Sequence, residues 1–248
     1  AATKWVKIKM NIGTISCQMN DGTQTHNKAS NVDIDDGLWH HVVFTRDHLL
    51  NGLDSATKIY IDGQYVVAQS GTPNTLVGDL YQDPDTELYL GPRTNATYFD
   101  GLIDETSSWN LVLSPSDIST LYNNGVPVEL DTFNYSTNLV GWWRMGDLDS
   151  YPTVKDHSGQ GSDGTMTNMT GNAIVPTYPD FNKNAVSFDG VDDYIVTGNY
   201  HNLNKTDSFS LSCWASSSAA AALMSKIPDG NTGYLFGYRG GGEIRLAL

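Results

Sequence analysis

Asp36-Gly37-Leu38-Trp39-His40-His41-Val42-Val43-Phe44-Thr45 opens a stretch that runs to Glu105 and decides the fold. Three more pieces follow in order. They are Lys58-Ile59-Tyr60-Ile61-Asp62-Gly63-Gln64-Tyr65-Val66-Val67, then Glu87-Leu88-Tyr89-Leu90-Gly91, then Phe99-Asp100-Gly101-Leu102-Ile103-Asp104-Glu105. Each run is apolar or alternating, rich in β-branched and aromatic residues, and bounded by Gly, Asp or Pro, which is how strands read. Asp62-Gly63 between two such runs is the strongest short-range hairpin signal, because both central residues need positive φ.

The four pieces together resemble the second half of a laminin G-like domain of the concanavalin A-like lectin/glucanase superfamily. There a "W-H-H-V" strand leads to a "Y-I-D-G" hairpin, an "L-Y-L-G" strand and a closing "G-x-I-D-E" strand. The resemblance implies an all-β fold, a two-sheet antiparallel jelly-roll sandwich of roughly a dozen strands. Upstream, Lys4–Ile12 and Thr14–Met19 read as strands broken at Gly13, and residues 20–36 read as polar and turn-rich. Ser114-Pro115-Ser116-Asp117 followed by Ile118, Leu121 and Tyr122 predicts one short helix over 114–123, ended by Asn124-Gly125.

The second half of the chain carries the complementary motifs. Residues 126–138 read as a linker. Leu139-Val140-Gly141-Trp142-Trp143-Arg144-Met145-Gly146-Asp147, Ala185–Ile195 and Phe209–Trp214 resemble first-half strands of the same family. Residues 1–248 then form one sandwich in permuted order, with the family's second half at 1–125 and its first half at 139–248. Strand pairing can be met by a closed permutant, by swapping between chains that complete one another, or by halves belonging to different domains. The 139–147 run, with the Asp-x-Ser-Gly segment after it, also resembles laminin G-like modules in structural proteins of marine bacteriophages and ocean metagenomes. Without an initiating Met, the chain reads as part of a longer protein.

Twenty-eight acidic residues stand against 14 basic ones, a formal charge of −14. Such a chain lacks the clustered Lys and Arg that a phosphate backbone requires, which excludes nucleic acid. No apolar run approaches a membrane span. Two cysteines, Cys17 and Cys213, make no disulfide framework and read as buried thiols.

For chemistry, the nearest string to a glucanase carboxylate pair is Asp83-Pro84-Asp85-Thr86-Glu87. Its proline is excluded from a central strand, so it reads as a loop. Asp104 and Glu105 are adjacent and would point to opposite faces of a strand. His40-His41 has no nucleophile at a recognisable elbow. The chain is therefore expected not to be an enzyme. Acids in Gly-rich turns suit a hard cation instead. In the resembled family a structural calcium often lies where the closing-strand Asp meets the opening segment, which here pairs Asp104 with the 141–156 region. Asp104, Asp156, Asp189 and Asp192 are the candidate calcium ligands, and one cation is expected to join Asp104 to at least one of the other three.

A sugar needs aromatic platforms that no core strand accounts for. Trp109, Tyr98, Tyr81, Tyr200 and Tyr238 are the candidates, while Trp142 or Trp143 must face inward by alternation. The reading is a carbohydrate-binding or adhesion module of a phage virion or cell-surface protein, with a glycan or surface polysaccharide as partner. The alternative is a structural assembly module whose halves complete neighbouring subunits.

Overall fold

The computed structural model describes residues 5–7, 14–20, 25–50, 56–66, 69–71, 87–91, 98–177, 184–198, 207–219, 222–226 and 234–237. Among these, the strands, numbered along the chain, form three antiparallel sheets. The largest has eight strands. Its order is β13 (Ile174–Pro176), β14 (Asn184–Asp189), β9 (Asp100–Trp109), β16 (Phe209–Ser216), β4 (Trp39–Arg46), β5 (Thr57–Ile61) and β6 (Gln64–Tyr65). The eighth, β10 (Leu139–Trp143), pairs with the C-terminal part of β9, on the edge where β14 pairs with its start. A six-stranded sheet runs β11 (Thr153–Val154), β12 (Gly164–Thr167), β15 (Tyr194–Thr197), β8 (Leu88–Leu90), β17 (Ala222–Lys226) and β18 (Tyr234–Gly237). The third, β1 (Trp5–Lys7), β2 (Thr14–Asn20), β3 (Thr25–Asp33) and β7 (Gln69–Gly71), has four strands. The stretch read as polar turns thus contains β3. Its weak pattern is overridden by pairing on both sides, with β2 and β7.

Period-two alternation builds the core between the two larger sheets. Val42 and Phe44, Ile59 and Ile61, Leu211 and Cys213, and Val186 and Phe188 meet Leu88, Leu90, Ile195 and Met166 in one buried cluster. The intervening residues are buried as well. Val43, Tyr60, Trp109 and Trp142 point to the other face of the eight-stranded sheet, where Leu113, Ile118, Leu121, Leu130 and Phe133 cover them. Trp143 faces the sandwich and Trp142 the covering layer, so both indoles are buried. Cys213 is a free buried thiol, and burial pushes its pKa up.

The covering layer comes from the helix α1 (Pro115–Tyr122) and the segment after it. Ser114 caps α1, its Oγ accepting from the Asp117 N–H while the Asp117 carboxylate accepts from the Ser114 N–H. We expect Ser114→Ala to lower unfolding stability by about 1 kcal/mol in urea titration, the usual cost of a lost N-cap. Asn123 and Asn124 end the helix at φ 43° and 54°. The 126–138 segment is a packed element and no loose linker: short 3₁₀ turns set Leu130 and Phe133 into the sheet. The Asp62-Gly63 turn has φ 51° and 75°, with Ile61 opposite Gln64, as the hairpin signal predicts.

Strands from the two halves of the chain alternate in both large sheets. β9 lies between β14 and β16, β16 between β9 and β4, and β8 between β15 and β17. β1 and β2 sit in the four-stranded sheet and β18 in the six-stranded one, and β1 lies close to β18, so the described strands nearest the two ends of the chain are neighbours.

Candidate cation and ligand site

β14 ends at Asp189, directly opposite Asp100 at the start of β9. A tight turn follows. Val191 N–H donates to Asp189 Oδ1 at 2.8 Å, and Asp189 N–H donates to Asp193 Oδ2 at 3.0 Å. Gly190 takes φ 75°, and a Cβ there would come within 2.9 Å of Asp100 Cβ, so this glycine permits the close approach of the two strands. The turn brings one carboxylate oxygen each from Asp189, Asp192 and Asp193 within 4.8 Å of one another. Asp193 is buried, and its carboxyl is held above the usual range by burial and by the charges of Asp189 and Asp192. Three acids on one turn are a donor set of the hard, oxygen-only type that calcium takes. Tyr98 is half-buried one residue before Phe99, whose carbonyl accepts the Gly190 N–H at 3.0 Å. The backbone just after Tyr98 is therefore tied to the turn that carries two of the expected acids. Asp193, part of the same Asp-Asp pair, was not among the expected ligands.

Asp104 lies elsewhere. On β9 it is four residues from Asp100, about 13 Å along a strand, so it cannot share a cation with Asp189 or Asp192. Asp156 is engaged in a turn of its own: its two oxygens accept the N–H groups of Trp142, Ser158 and Ser162. The expected joint site of Asp104 with Asp189 or Asp192 is thereby corrected. Its neighbour from the 141–156 region is Asp147, whose charge reaches it.

A bulge creates this second acidic cluster. The β9–β16 register shifts between Ser212 and Trp214, and Glu105 takes φ 44°. Alternation fails there, so Asp104 and Glu105 do not part to opposite faces: both feel Arg144. Glu105 accepts from Trp142 Nε1 and, at 3.2 Å, from Arg144 Nε. Arg144 also reaches Glu129 at 2.8 Å and Asp147 at 3.6 Å, and it lies over the Trp142 ring. Burial pushes the Glu105 carboxyl up to about 7 against these partners. Asp104 is fully buried; one oxygen accepts the Glu105 N–H at 2.8 Å, and Oδ2 has no protein partner. Its pKa is raised well above 3.8 by burial, then by the Glu105 charge.

The remaining expected ligand aromatics divide plainly. Trp109 is no exposed platform. It is 1 % exposed, packs edge-on to Phe133, and donates to Ser107 Oγ. The physical reason is the covering layer, which buries the outer face on which Trp109 sits. Tyr81, Tyr200 and Tyr238 lie outside the described residues, as do Asp83 and Asp85. Glu87 is exposed and accepts from the Tyr89 hydroxyl two residues away. His41 Nε2 lies 2.8 Å from Ser212 Oγ, but the imidazole is 2 % exposed and packed against Trp214. The pocket it lines with Glu105, Ser107 and Ser212 has room for about one water, too little for a substrate.

Residues 5–119 match a family model described as the concanavalin A-like lectin/glucanases superfamily. The matched segment holds the Trp39-His40-His41-Val42, Tyr60-Ile61-Asp62-Gly63, Leu88-Tyr89-Leu90-Gly91 and Gly101-Leu102-Ile103-Asp104-Glu105 motifs. The two larger antiparallel sheets with one short helix agree with a concanavalin A-like sandwich, a superfamily that often binds carbohydrate or mediates adhesion. No curated protein and no solved structure matches the chain.

Proposed function

We propose that this chain is a non-catalytic carbohydrate-binding or adhesion module that uses calcium at the β14–β15 turn. The observation that carries the reading is the convergence of Asp189, Asp192 and Asp193 within 4.8 Å at an exposed turn. Tyr98, on the adjoining strand end, supplies the aromatic surface for a sugar ring. The partner is a glycan or surface polysaccharide, and an extracellular or virion location suits an acidic module that captures one. Nucleic acid is disfavoured by the charge of −14. No described helix is long and apolar enough to cross a membrane.

A second, structural calcium fits at Asp104 with Asp147, because a fully buried carboxylate oxygen without a protein partner is costly unless a cation compensates it. The interleaving of strands from both halves supports one sandwich closed within the chain in permuted order. It disfavours the alternative, an assembly module whose halves complete neighbouring subunits.

The non-catalytic reading rests on the described acids. Glu87 is exposed, and the Asp104–Glu105 cluster is buried. Glycoside hydrolysis needs two carboxyls about 5–10 Å apart flanking an accessible bond.

A glycan array read in calcium and in chelator tests the proposal. We expect calcium-dependent binding that drops at least about tenfold in Asp192→Ala and in Tyr98→Ala, since each such contact is worth about 1.4 kcal/mol or more. Calcium-independent binding would remove the cation from the reading. Release of reducing sugar from a bound polysaccharide, lost in Glu87→Gln, would make the chain an enzyme.

A further inference from the structure

Both ring nitrogens of His40 face carboxylates. Nδ1 lies 2.8 Å from Asp62 Oδ2 and Nε2 lies 3.2 Å from Asp36 Oδ1, with the side chain 13 % exposed. A neutral imidazole has one N–H and one lone pair, and an ionised carboxylate only accepts. A neutral ring would set its lone pair against one of the two acids. Only imidazolium donates to both.

The two acids belong to different turns. Asp62 is the first turn residue of the β5–β6 hairpin, and its other oxygen accepts the His41 N–H at 2.9 Å. Asp36 opens the turn into β4, where its Oδ1 also accepts the Leu38 N–H at 2.8 Å. We propose that His40 is a proton-operated latch, which ties the Asp36–Leu38 turn to the Asp62-Gly63 hairpin when charged and releases that turn when neutral. The reaction is a reversible proton transfer to solvent from Nε2. Geometry sets which side opens. The Asp62 bond is the shorter, and Asp62 is fixed a second time through His41 N–H. Asp36 is 43 % exposed and holds the longer bond.

The groups around the ring agree. Opposite His40 on β16 stands Ala215, which carries no charge. His41, beyond Asp62, is held neutral by burial at about 3, so it adds no competing cation. The Asp62 hydrogen bond raises the His40 pKa from 6.5, against burial. For a raised histidine, the stabilisation is fully present below the unfolded pKa and is lost as pH rises through the folded value. The latch therefore opens on the alkaline side of the free-histidine range.

The released turn borders the candidate site. Gly37 N–H donates to the Ser217 carbonyl, the Ser216 hydroxyl donates to the Gly37 carbonyl, and the Ser217 hydroxyl donates to the Asp100 carbonyl. It also presents Leu38, 63 % exposed, at that rim.

The test is ring-nitrogen NMR of the full chain labelled in histidine, from about pH 5 to about pH 9, with amide exchange measured alongside. We expect His40 to carry protons on both ring nitrogens with a midpoint above 6.5. Asp36→Asn and Asp62→Asn should each lower that midpoint. Exchange of the Leu38 amide, corrected for its intrinsic base dependence, should accelerate through the same midpoint in the wild type. In His40→Gln it should be fast and show no such midpoint. A wild-type midpoint at or below 6.5, or Leu38 protection that stays level through it, overturns the latch. The titration needs no variant and no ligand, so it fails or succeeds independently of glycan or calcium binding.

Discussion

Gly101→Ala will cost the protein on the order of 3 kcal/mol or more, enough to take a large part of a marginal stability of about 5–15 kcal/mol. Gly101 is the glycine of the closing "G-x-I-D-E" strand and adopts φ 150°. A Cβ built there would stand 2.2 Å from the Ser216 carbonyl oxygen and 3.1 Å from Ser217 Cα. The obstacle is backbone, so no side-chain rotation relieves it. Ser216 is paired with Leu102 in the β16–β9 ladder, and the Ser217 hydroxyl donates to the Asp100 carbonyl at 2.6 Å. To admit one methyl group, β9 must draw away from β16 at the end of the ladder that joins them. Backbone strain alone amounts to about 1–3 kcal/mol, and broken pairing adds to it. Gly159→Ala is the control. Gly159 also has positive φ, 84°, but nothing lies within 4 Å of its Cβ position, so only the conformational cost of about 1 kcal/mol applies. Urea midpoints at equal slope decide the matter. Equal losses in the two variants would show that close approach at Gly101 is unimportant.

Asp104→Asn will have opposite effects with and without calcium. In the cation-free protein, Asp104 is a carboxylate buried beside Glu105 and within reach of Asp147, with one oxygen unpartnered. Its folded pKa is raised, so at neutral pH its ionised form opposes folding. As pH falls toward the folded value, the folded state takes up the proton first and stability rises. The amide removes the buried charge, so the cation-free variant should melt higher than the wild type at neutral pH and lose that acid-side gain. If calcium binds at Asp104, millimolar metal at a hundred times its dissociation constant adds about 2.7 kcal/mol to the wild type. It adds far less to Asp104→Asn. Thermal melts in calcium and in excess chelator, at two pH values, read all four states. A wild type whose melting is indifferent to calcium leaves the orphaned oxygen without its proposed partner. Asp192→Ala, about 13 Å or more away, should keep the calcium gain that belongs to Asp104.

Much of the fold was legible in local pattern. Alternation in Trp39–Arg46, Thr57–Ile61 and Phe209–Ser216 announced strands, Asp62-Gly63 announced its hairpin, and Ser114-Pro115 with Asp117 announced the helix. These signals are written within a few residues of one another, at the scale where propensity and turn chemistry act. Of the candidate site, the turn after Asp189 was legible, because Asp189-Gly190 marks a tight turn; that Asp193 joins Asp189 and Asp192 there was not.

What the sequence alone determined is therefore the strongly patterned strands, the hairpin between β5 and β6 and the one helix. Tertiary structure decided which faces are buried and which acids meet. Trp109 looked like a residue for a ligand, and alternation gave only one of Trp142 and Trp143 an inward place, until 126–138 and α1 covered the outer face of the eight-stranded sheet. Asp104 and Glu105 looked divided by alternation until a bulge opposite Ser212–Trp214 turned the backbone and gave both to Arg144. His40 reads as an ordinary strand residue until the folding of β5 onto β4 brings Asp62 within 2.8 Å of its Nδ1. Periodicity along a strand fixes the side on which a residue stands. It carries no information about what a distant segment will lay over that side, since that contact is made through space between residues tens of positions apart.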